Sequence, residues 1–447
     1  MTGISLPGRR AARTDGGRPA ALRVALSRPV DIGPLIVLRV AFGLLMCAGA
    51  VRFMALGWIR DLYVTPRFHF TYYGFGWVRP LPEWGMWLVF IALAGLGLCI
   101  AAGLAYRAGM AAFFILFTYV ELLDQTTYLN HYYFISVLSL WLLFLPLNGR
   151  YALDNRLGLA PLRATVPAWM VWGVRAQVGL VYFFAGAAKL NGDWLFAAQP
   201  LRIWLHARTT TPYIGGLFDY AWVAYAMSWA GAAFDLTIPF WLSWPPARRP
   251  AYGAVIVFHT LTGVLFHIGL FPWIMIACTL VFFDWRLPEL GGGPAGGESP
   301  SFRPPPRWLP AALLLLLALQ IALPLRHWLY PGDVNWTEEG GRWAWRVMIV
   351  EKTGQVTFLV RDKASGGESV VFPGEYLTDL QEKQMSFQPD MIAQFARFLG
   401  RERGGDVEVR ARAYVSWNGR PSRLLIAPDY DLLQASPGPR PKPWIMR

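Results

Sequence analysis

The sequence predicts a polytopic α-helical membrane protein with about nine transmembrane helices, followed by a small α+β extramembrane C-terminal domain rich in β-strands. The first observation is composition: 55% of the 447 residues are hydrophobic and 15% are charged, which is too apolar for an ordinary soluble protein. The second is a series of long apolar runs. The third is a change to strand-like patterns after about residue 330.

Nine apolar runs are the candidate transmembrane helices, although several are shorter than the roughly 20 residues that a perpendicular crossing needs. They lie at residues 33–57, 84–104, 108–124, 131–147, 168–188, 220–244, 251–268, 270–284 and 308–326. Arginine is enriched before the first run and in alternate connecting segments. The positive-inside rule therefore predicts a cytoplasmic N-terminus and a C-terminal part on the opposite side. We interpret the net charge of +13 as topological and expect no nucleic-acid partner.

The predicted organisation has three regions. Residues 1–30 form a basic cytoplasmic N-terminal segment, residues 31–328 a transmembrane helical domain, and residues 329–447 an extramembrane β-rich C-terminal domain. Residues 289–306 are rich in glycine and proline, a composition typical of a linker, and they precede the last apolar run.

Local patterns within the C-terminal region predict its strands and one helix. Residues 356–360 and 407–415 are rich in β-branched side chains, and the second segment alternates as a strand does. Residues 389–399 have helical spacing, with Asp390 as the expected N-cap.

Lys189 is the first lysine in the chain and ends an apolar run over residues 178–189, whereas the other four lysines lie beyond residue 350. Arginine keeps its proton in proteins, but burial disfavours the lysine ammonium and leaves a neutral amine that can act as a base. The alternative is a side chain that extends from a helix end to the lipid headgroups. An ionisable group at membrane depth is a functional candidate by default.

Asp235 also lies within an apolar run, where a carboxylate faces either a partner or a cavity. A structural pair with a nearby arginine or lysine is the alternative interpretation. Four histidines lie at apolar positions or at the edges of the runs: His131, His259, His267 and His327. Each is either a functional group or a hydrogen-bond partner between helices.

Metal binding is not predicted. His259 and His267 are eight residues apart, about two helical turns, which is too far for one ion on a continuous helix. All three cysteines lie inside apolar runs, so neither a disulfide framework nor a cysteine-rich metal site is expected. Residues 58–83 are dense in aromatic side chains, which is typical of an interfacial belt. A wall for a flat ring ligand such as a quinone is the alternative.

Five segments together resemble the vitamin K-dependent γ-glutamyl carboxylase family, as a bacterial-type homologue with an HTTM-like membrane domain. Residues 123–133 (LDQTTYLNHYY) are similar to the family's Asn-His segment, and residues 181–195 (VYFFAGAAKLNGDWL) to its active-site lysine segment. Residues 258–273 resemble its histidine-containing span. Residues 335–340 and 345–348 resemble the start of its lumenal domain. Their order and spacing carry the resemblance from about residue 34 to about residue 430.

The resemblance implies a specific chemistry. A neutral lysine, here Lys189, deprotonates vitamin K hydroquinone, which then reacts with O2 to give a strong base. That base removes a γ-proton from a substrate glutamate, CO2 adds to the carbanion, and the quinol leaves as its epoxide. The resemblance implies catalytic roles for Lys189, His131 and Asn130, and cofactor contacts from these three and His259, for which a packing role is the alternative. A side-chain base is too weak for the γ-proton near neutral pH, and a membrane cavity supplies the required dryness.

Two other function classes stay open. One is a quinol-oxidising or epoxidase-type membrane protein without carboxylation, and the other is a transporter that uses Lys189 and Asp235 as a charge pair. The expected partners are an exported glutamate-containing peptide or protein and the lipid bilayer. The sequence does not distinguish phylloquinol from menaquinol. The excess of arginine over lysine and the short loops favour a multi-pass protein of a bacterial inner membrane with a periplasmic C-terminal domain; a eukaryotic endomembrane is the alternative.

Overall fold

The computed structural model describes residues 18–266, 268–288, 306, 308–404 and 406–447, so His267 and nearly all of the predicted linker lie outside the described residues. Each predicted apolar run contains a helix. These helices are Gly33–Ala55 (α1), Glu83–Ala102 (α2), Tyr106–Leu122 (α3), Asn130–Phe144 (α4), Ala168–Ala188 (α5), Ala221–Ser243 (α6), Arg248–Phe266 (α7), Phe271–Thr279 (α8) and Trp308–Leu325 (α9). Shorter helices outside the C-terminal sheet region are Arg18–Ser27, Leu153–Arg156, Gly192–Ala197, Leu201–His206 and Val334–Thr337.

Four of the described helices are long and apolar enough to cross a membrane: α1, α2, α5 and the helix that begins at Trp308. By contrast, α3 has 17 residues, α4 has 15 and α8 has nine. At a rise of about 1.5 Å per residue, α4 and α8 are too short for a hydrocarbon layer of about 30 Å, and α3 is at the lower limit of length for a spanning helix. The membrane location is supported, and the count of nine crossings stays a prediction.

Small residues let the membrane helices approach closely. A Cβ atom on Gly43 of α1 would lie 2.5 Å from the carbonyl oxygen of Gly97 in α2. One on Gly186 of α5 would lie 2.7 Å from the backbone nitrogen of Leu236 in α6. Such contacts are typical of helix pairs in membranes. The second contact brings the C-terminal end of α5, where Lys189 lies, against the part of α6 that carries Asp235.

The C-terminal region is a four-stranded antiparallel sheet. Its strands are Lys352–Asp362 (β3), Glu368–Val371 (β4), Val407–Trp417 (β5) and Arg423–Leu424 (β6). Pro29–Asp31 (β1) and Thr165–Pro167 (β2) form a separate two-stranded sheet in the membrane part of the chain. The sheet order is β4-β3-β5-β6, with Phe358 opposite Ala411 in the central pair. The helices Asp379–Met385 (α10) and Pro389–Glu402 (α11) accompany the sheet, and α11 buries an apolar face that includes Phe395 and Leu399. The two predicted strands and the predicted helix are confirmed.

The expected N-cap at Asp390 is wrong. The residue at the cap position of α11 is Gln388, and Asp390 lies in the first turn. Its carboxylate instead accepts hydrogen bonds from Arg342. Burial alone would raise the pKa of Asp390, but the Arg342 guanidinium holds this pKa below its usual range. A charge partner from a distant segment therefore replaces the local capping interaction.

The sheet region packs firmly against the membrane helices. Trp345 is fully buried, and its ring lies 4.9 Å from the ring of Tyr133 in α4. Gln381 of α10 donates a hydrogen bond of 2.9 Å to Asp124, which follows α3. Phe70, from the aromatic loop 58–83, belongs to the hydrophobic core of the sheet region. These contacts hold the C-terminal sheet region against the ends of the helices.

Candidate active site

The larger apolar cavity lies between α1, α3, α4 and α8 and has a volume of about 450 Å³. Its lining is mostly aliphatic and aromatic, and Trp58 and Tyr63 of the aromatic loop contribute to it. Part of that loop therefore forms a cavity wall. The few polar side chains in the lining include Asn130, His131 and Glu121. An apolar pocket with a few polar groups is the usual form of a small-molecule site.

Asn130 and His131 enter this cavity because α4 begins at Asn130, directly after the extended residue Leu129. The Asn130 amide nitrogen donates to the carbonyl oxygen of Arg346 at 3.2 Å, and its amide oxygen accepts from the hydroxyl of Tyr128 at 3.1 Å. An amide group has two N–H donors and two acceptor positions. Asn130 therefore keeps hydrogen-bonding capacity for a ligand.

Lys189 follows the last residue of α5 and points into the protein. Its ammonium nitrogen lies 2.7 Å from a carboxylate oxygen of Asp235 and 3.2 Å from the carbonyl oxygen of Ala185. Both members of the pair are 5% exposed. The nitrogen also lies 5.2 Å from the ring centre of Trp194. The structural pair for Asp235 that the sequence left open is present, and its partner is the candidate base.

The Lys189–Asp235 pair borders a second, smaller cavity of about 80 Å³. His259 of α7 lines it too, and its Nε2 atom forms a 2.7 Å hydrogen bond with the hydroxyl of Tyr182. The Nδ1 atom of His259 is buried and has no hydrogen-bond partner among the described residues. His259 therefore lies with Lys189, whereas Asn130 and His131 lie in the larger cavity.

Phe271, at the start of α8, lies between the two groups. Its ring centre is 5.6 Å from that of His131 and 5.8 Å from that of His259. The two cavities share four lining residues: Ile268, Phe271, Val347 and Met348. All four predicted site residues are thus gathered around one wall, but the wall divides them into two pairs.

Met348 brings the C-terminal region into this wall. It adopts a left-handed backbone conformation with φ of 52°, which side-chain-bearing residues rarely adopt. Trp343 and Trp345, just before it, share this conformation, with φ of 57° and 55°. Such strained segments concentrate at functional sites. The C-terminal region therefore contributes to the lining of both cavities.

Sequence reasoning missed Glu121 and Tyr182. Glu121 lies in an apolar run just as Asp235 does, so the same signal was available for it. Tyr182 carries no such signal, because a tyrosine in an apolar helix is common. Its contact with His259 depends on how α5 and α7 pack.

A hydrogen-bonded clasp joins the Lys189 segment to the sheet region. Asp193 accepts 2.8 Å hydrogen bonds from Asn418 and from Arg420, in the turn between β5 and β6. The backbone nitrogen of Glu351 donates to Asn418 at 2.9 Å. The Glu351 carboxylate accepts from Trp204, which lines the smaller cavity, at 2.7 Å. Hydrogen bonds from Arg420 hold the pKa of Asp193 below its usual range.

Replacing Arg420 by alanine is expected to weaken the clasp. Because the Arg420 side chain is 49% exposed, we expect a loss near the low end for charged hydrogen bonds, about 1 kcal/mol. The lowered pKa of Asp193 means that the clasp contributes fully above the ordinary aspartate range and weakens as the pH falls through the lowered value. Thermal unfolding in detergent at neutral and acidic pH measures both effects. Arg412→Ala, on the exposed face of β5, is the matched control, and equal unfolding of the two variants would contradict the clasp.

Two known domain families match the chain. Residues 27–286 match the HTTM domain, and residues 306–447 match the vitamin K-dependent gamma-carboxylase, lumenal domain. The chain belongs to the vitamin K-dependent γ-carboxylase family. No solved structure matches it. Family membership connects this protein with vitamin K, with carboxylation and with a membrane location.

A third, polar cavity of about 680 Å³ lies where the lumenal-type domain of this carboxylase-family protein meets the membrane domain. Its basic lining residues are Arg79, Arg326, Arg342, Arg397, Arg401 and Lys442. Its acidic lining residues are Glu338, Glu339 and Asp390. Positive charge therefore predominates on a surface next to the segment that carries Met348.

Proposed function

We propose that this carboxylase-family protein is a vitamin K (quinol)-dependent γ-glutamyl carboxylase, which couples epoxidation of the hydroquinone to carboxylation of a substrate glutamate. The observation that carries the proposal is the position of Phe271, whose ring lies within 6 Å of the rings of both His131 and His259. A cavity of a size suited to a quinol ring and a buried lysine thus share one wall.

The residues of the larger cavity fit a quinol. The lining is apolar on most sides, and Asn130 and His131 supply hydrogen-bonding groups at one place. In the family's reaction, the bound hydroquinone supplies the reducing equivalents and, after oxygenation, the strong base. We propose that Asn130 and His131 hold one oxygen atom of the ring and stabilise negative charge there. His259, bonded to Tyr182, would orient the wall next to Lys189.

Lys189 is the proposed base that receives the proton of the quinol hydroxyl group. For this it must hold a free amine, and Asp235 provides the means because the pair can place its shared proton on the carboxylate. The pair then carries no charge, which a dry and apolar surrounding favours. In the proposed reaction the side chains of Phe271 and Met348 move aside so that the Lys189 amine reaches the ring oxygen. As apolar side chains next to the ring, they also exclude water from the site.

The polar cavity is the proposed docking surface for an exported, glutamate-containing peptide. Its excess of arginine is suited to acidic side chains, and guanidinium groups bind carboxylates well. The vitamin K-dependent lumenal domain supports binding of a protein substrate. In the predicted orientation, with a periplasmic C-terminal domain, the substrate would arrive from outside the cytoplasm.

Reversing one charge in this cavity is expected to weaken peptide binding. Arg401→Glu changes an exposed side chain, so the fold should be retained. We expect the KM for a glutamate-rich peptide to rise roughly fivefold to tenfold at low salt, with kcat nearly unchanged and the effect reduced by added salt. Arg412→Glu, outside the cavity, is the matched control. An equal KM in the two variants would rule out docking there.

The proposed function is tested with purified protein in detergent, reduced vitamin K, O2, labelled bicarbonate and a glutamate-containing peptide. The carboxylase should form both the epoxide and labelled peptide. Epoxide without fixed label would support the second candidate, a quinol-oxidising enzyme with another substrate or none. Neither product from folded protein would refute both. The Lys189–Asp235 pair also suits a transporter, and the variants in the Discussion separate that function from catalysis.

A further inference from the structure

One arginine of the polar cavity has a terminal nitrogen atom without a partner. Arg326 follows α9 directly and lines this cavity. Its Nη2 atom donates a hydrogen bond to the carbonyl oxygen of Arg342, whereas its Nη1 atom is buried and has no hydrogen-bond partner among the described residues. No carboxylate of those residues lies within ion-pair distance of it. Because a buried charged donor without a partner is costly, this position favours an anionic ligand.

The acidic side chains of the same cavity each have a cationic partner already. Among the described residues these ion pairs are Asp390–Arg342, Glu338–Lys352 and Glu339–Lys442. The charge of Arg326 is therefore left for a ligand. A guanidinium group is well suited to a carboxylate, which it binds by charge-assisted hydrogen bonds.

A second group of unpartnered polar atoms lines the same cavity. The hydroxyl of Tyr72 and the side-chain oxygen of Gln125 are buried, and neither has a hydrogen-bond partner among the described residues. Gln125 is held next to Tyr72 by hydrogen bonds of 2.8 and 2.9 Å to the backbone oxygens of Phe70 and Thr71. A hydroxyl that donates and an amide oxygen that accepts match the C=O and N–H groups of a peptide backbone.

The indole ring of Trp343 lies next to both groups. Its centre is 5.5 Å from the guanidinium carbon of Arg326 and 5.8 Å from the ring centre of Tyr72. The side chain of one ligand residue can therefore reach Arg326 while the backbone of that residue lies at Tyr72.

We infer that the polar cavity binds a second acidic residue of the substrate peptide, through its carboxylate at Arg326 and its backbone at Tyr72 and Gln125. The inference rests on the proposed function, because it names the substrate class for the proposed docking surface. The bound residue differs from the glutamate that reacts, since the polar cavity shares no lining residue with the cavities that contain His131 and Lys189. The favoured substrate is thus a peptide with at least two acidic residues.

The chain between the cavities limits the spacing of these two residues. Met348, which lines the other two cavities, lies five residues after Trp343 and so at most about 18 Å from it. An extended peptide advances about 3.3 Å per residue. The second acidic residue should therefore lie within about five residues of the reacting glutamate.

The test is equilibrium binding of two fluorescently labelled peptides to the full-length protein in detergent, without quinol. Each peptide contains one glutamate, with aspartate four residues away on both sides in the first peptide and asparagine at these positions in the second. Wild type should bind the aspartate peptide about tenfold more tightly, as expected for one charge-assisted hydrogen bond. Arg326→Gln should bind the two peptides with nearly equal affinity.

Tyr72→Phe separates the two parts of the proposed site. It removes only a hydroxyl that has no partner among the described residues, so the fold should be retained. It should weaken the binding of both peptides about threefold, because the backbone contact is lost, and keep the preference for aspartate.

Arg67→Gln, which changes an exposed arginine outside the cavity, is the matched control and should keep the wild-type preference. Equal affinity of wild type for the two peptides, or an unchanged preference in Arg326→Gln, would overturn the inference. Carboxylation of both peptides by the same protein would then show that the proposed function stands without it. The expected preference in binding, with neither epoxide nor labelled peptide formed once quinol, O2 and bicarbonate are added, would instead refute the carboxylase and support the binding site.

Discussion

Replacing Lys189 by arginine is expected to abolish epoxide formation and carboxylation, although the positive charge next to Asp235 is kept. Arginine does not release its proton in proteins, so the variant holds the ion pair but cannot supply a free amine. Loss of a positioned general base typically lowers the rate by about 10²-fold to 10⁴-fold. Epoxide formation without peptide is the readout, because it isolates the first half of the proposed reaction. Lys189→Ala should be equally inactive.

A second ion pair of the membrane domain provides the control. Arg248, at the start of α7, lies 2.8 Å from a carboxylate oxygen of Asp284, away from both cavities. Arg248→Lys, the reverse exchange, should keep most of the activity, because the positive charge next to Asp284 is kept. If Lys189→Arg were as active as Arg248→Lys, Lys189 would act through its positive charge and not as a base. That result would support the transporter interpretation.

Replacing Asp235 by leucine is expected to destabilise the membrane domain strongly. Removing one partner of a buried pair leaves an uncompensated charge, which typically costs about 3–5 kcal/mol. The double variant Lys189→Met/Asp235→Leu removes both charges and should recover most of the stability, because well-packed apolar residues replace such pairs at little cost. It should remain inactive. Thermal unfolding in detergent, together with epoxide formation, measures the two properties separately.

The recovery of stability without activity is the informative result. If the role of the pair were only structural, Asp235→Leu would lose both stability and activity, and the double variant would regain both. Asp235→Asn should stay folded and partly active in a carboxylase, whereas it should uncouple a transporter. If the double variant unfolded as readily as Asp235→Leu, the destabilisation would come from lost packing in α6 rather than from an unpaired Lys189.

Sequence patterns were sufficient for the long helices, for two strands and one helix of the C-terminal region, and for the family. Continuous apolar runs specify helices without regard to tertiary context, and each run contains one. The alternating segment 407–415 lies within β5 for the same local reason. Asp390 shows the limit of local rules: its partner, Arg342, is distant in sequence, and the charge interaction replaced the cap. Apolar patterning does not determine the number of membrane crossings. Whether a helix as short as α4 lies across the membrane depends on the helices that pack around it.

The sequence indicated the candidate site residues but not their arrangement. Lys189 and Asp235 each stood out as charges in apolar runs, yet their 2.7 Å contact depends on the close approach of α5 and α6 at Gly186. The wall of Phe271 and Met348 combines a membrane helix with a strained segment near the C-terminal sheet. No spacing rule connects positions so far apart in the chain.

The proposal depends on one quinol being shared by the two halves of the site. An anaerobic structure of the full-length protein with bound hydroquinone tests this most directly. We expect the ring in the larger cavity, one oxygen next to Asn130 or His131, and the Lys189 amine within about 2.6–3.2 Å of a ring hydroxyl, with Phe271 displaced. A ring bound elsewhere, or a Lys189–Asp235 pair still closed off behind Phe271, would contradict the proposal.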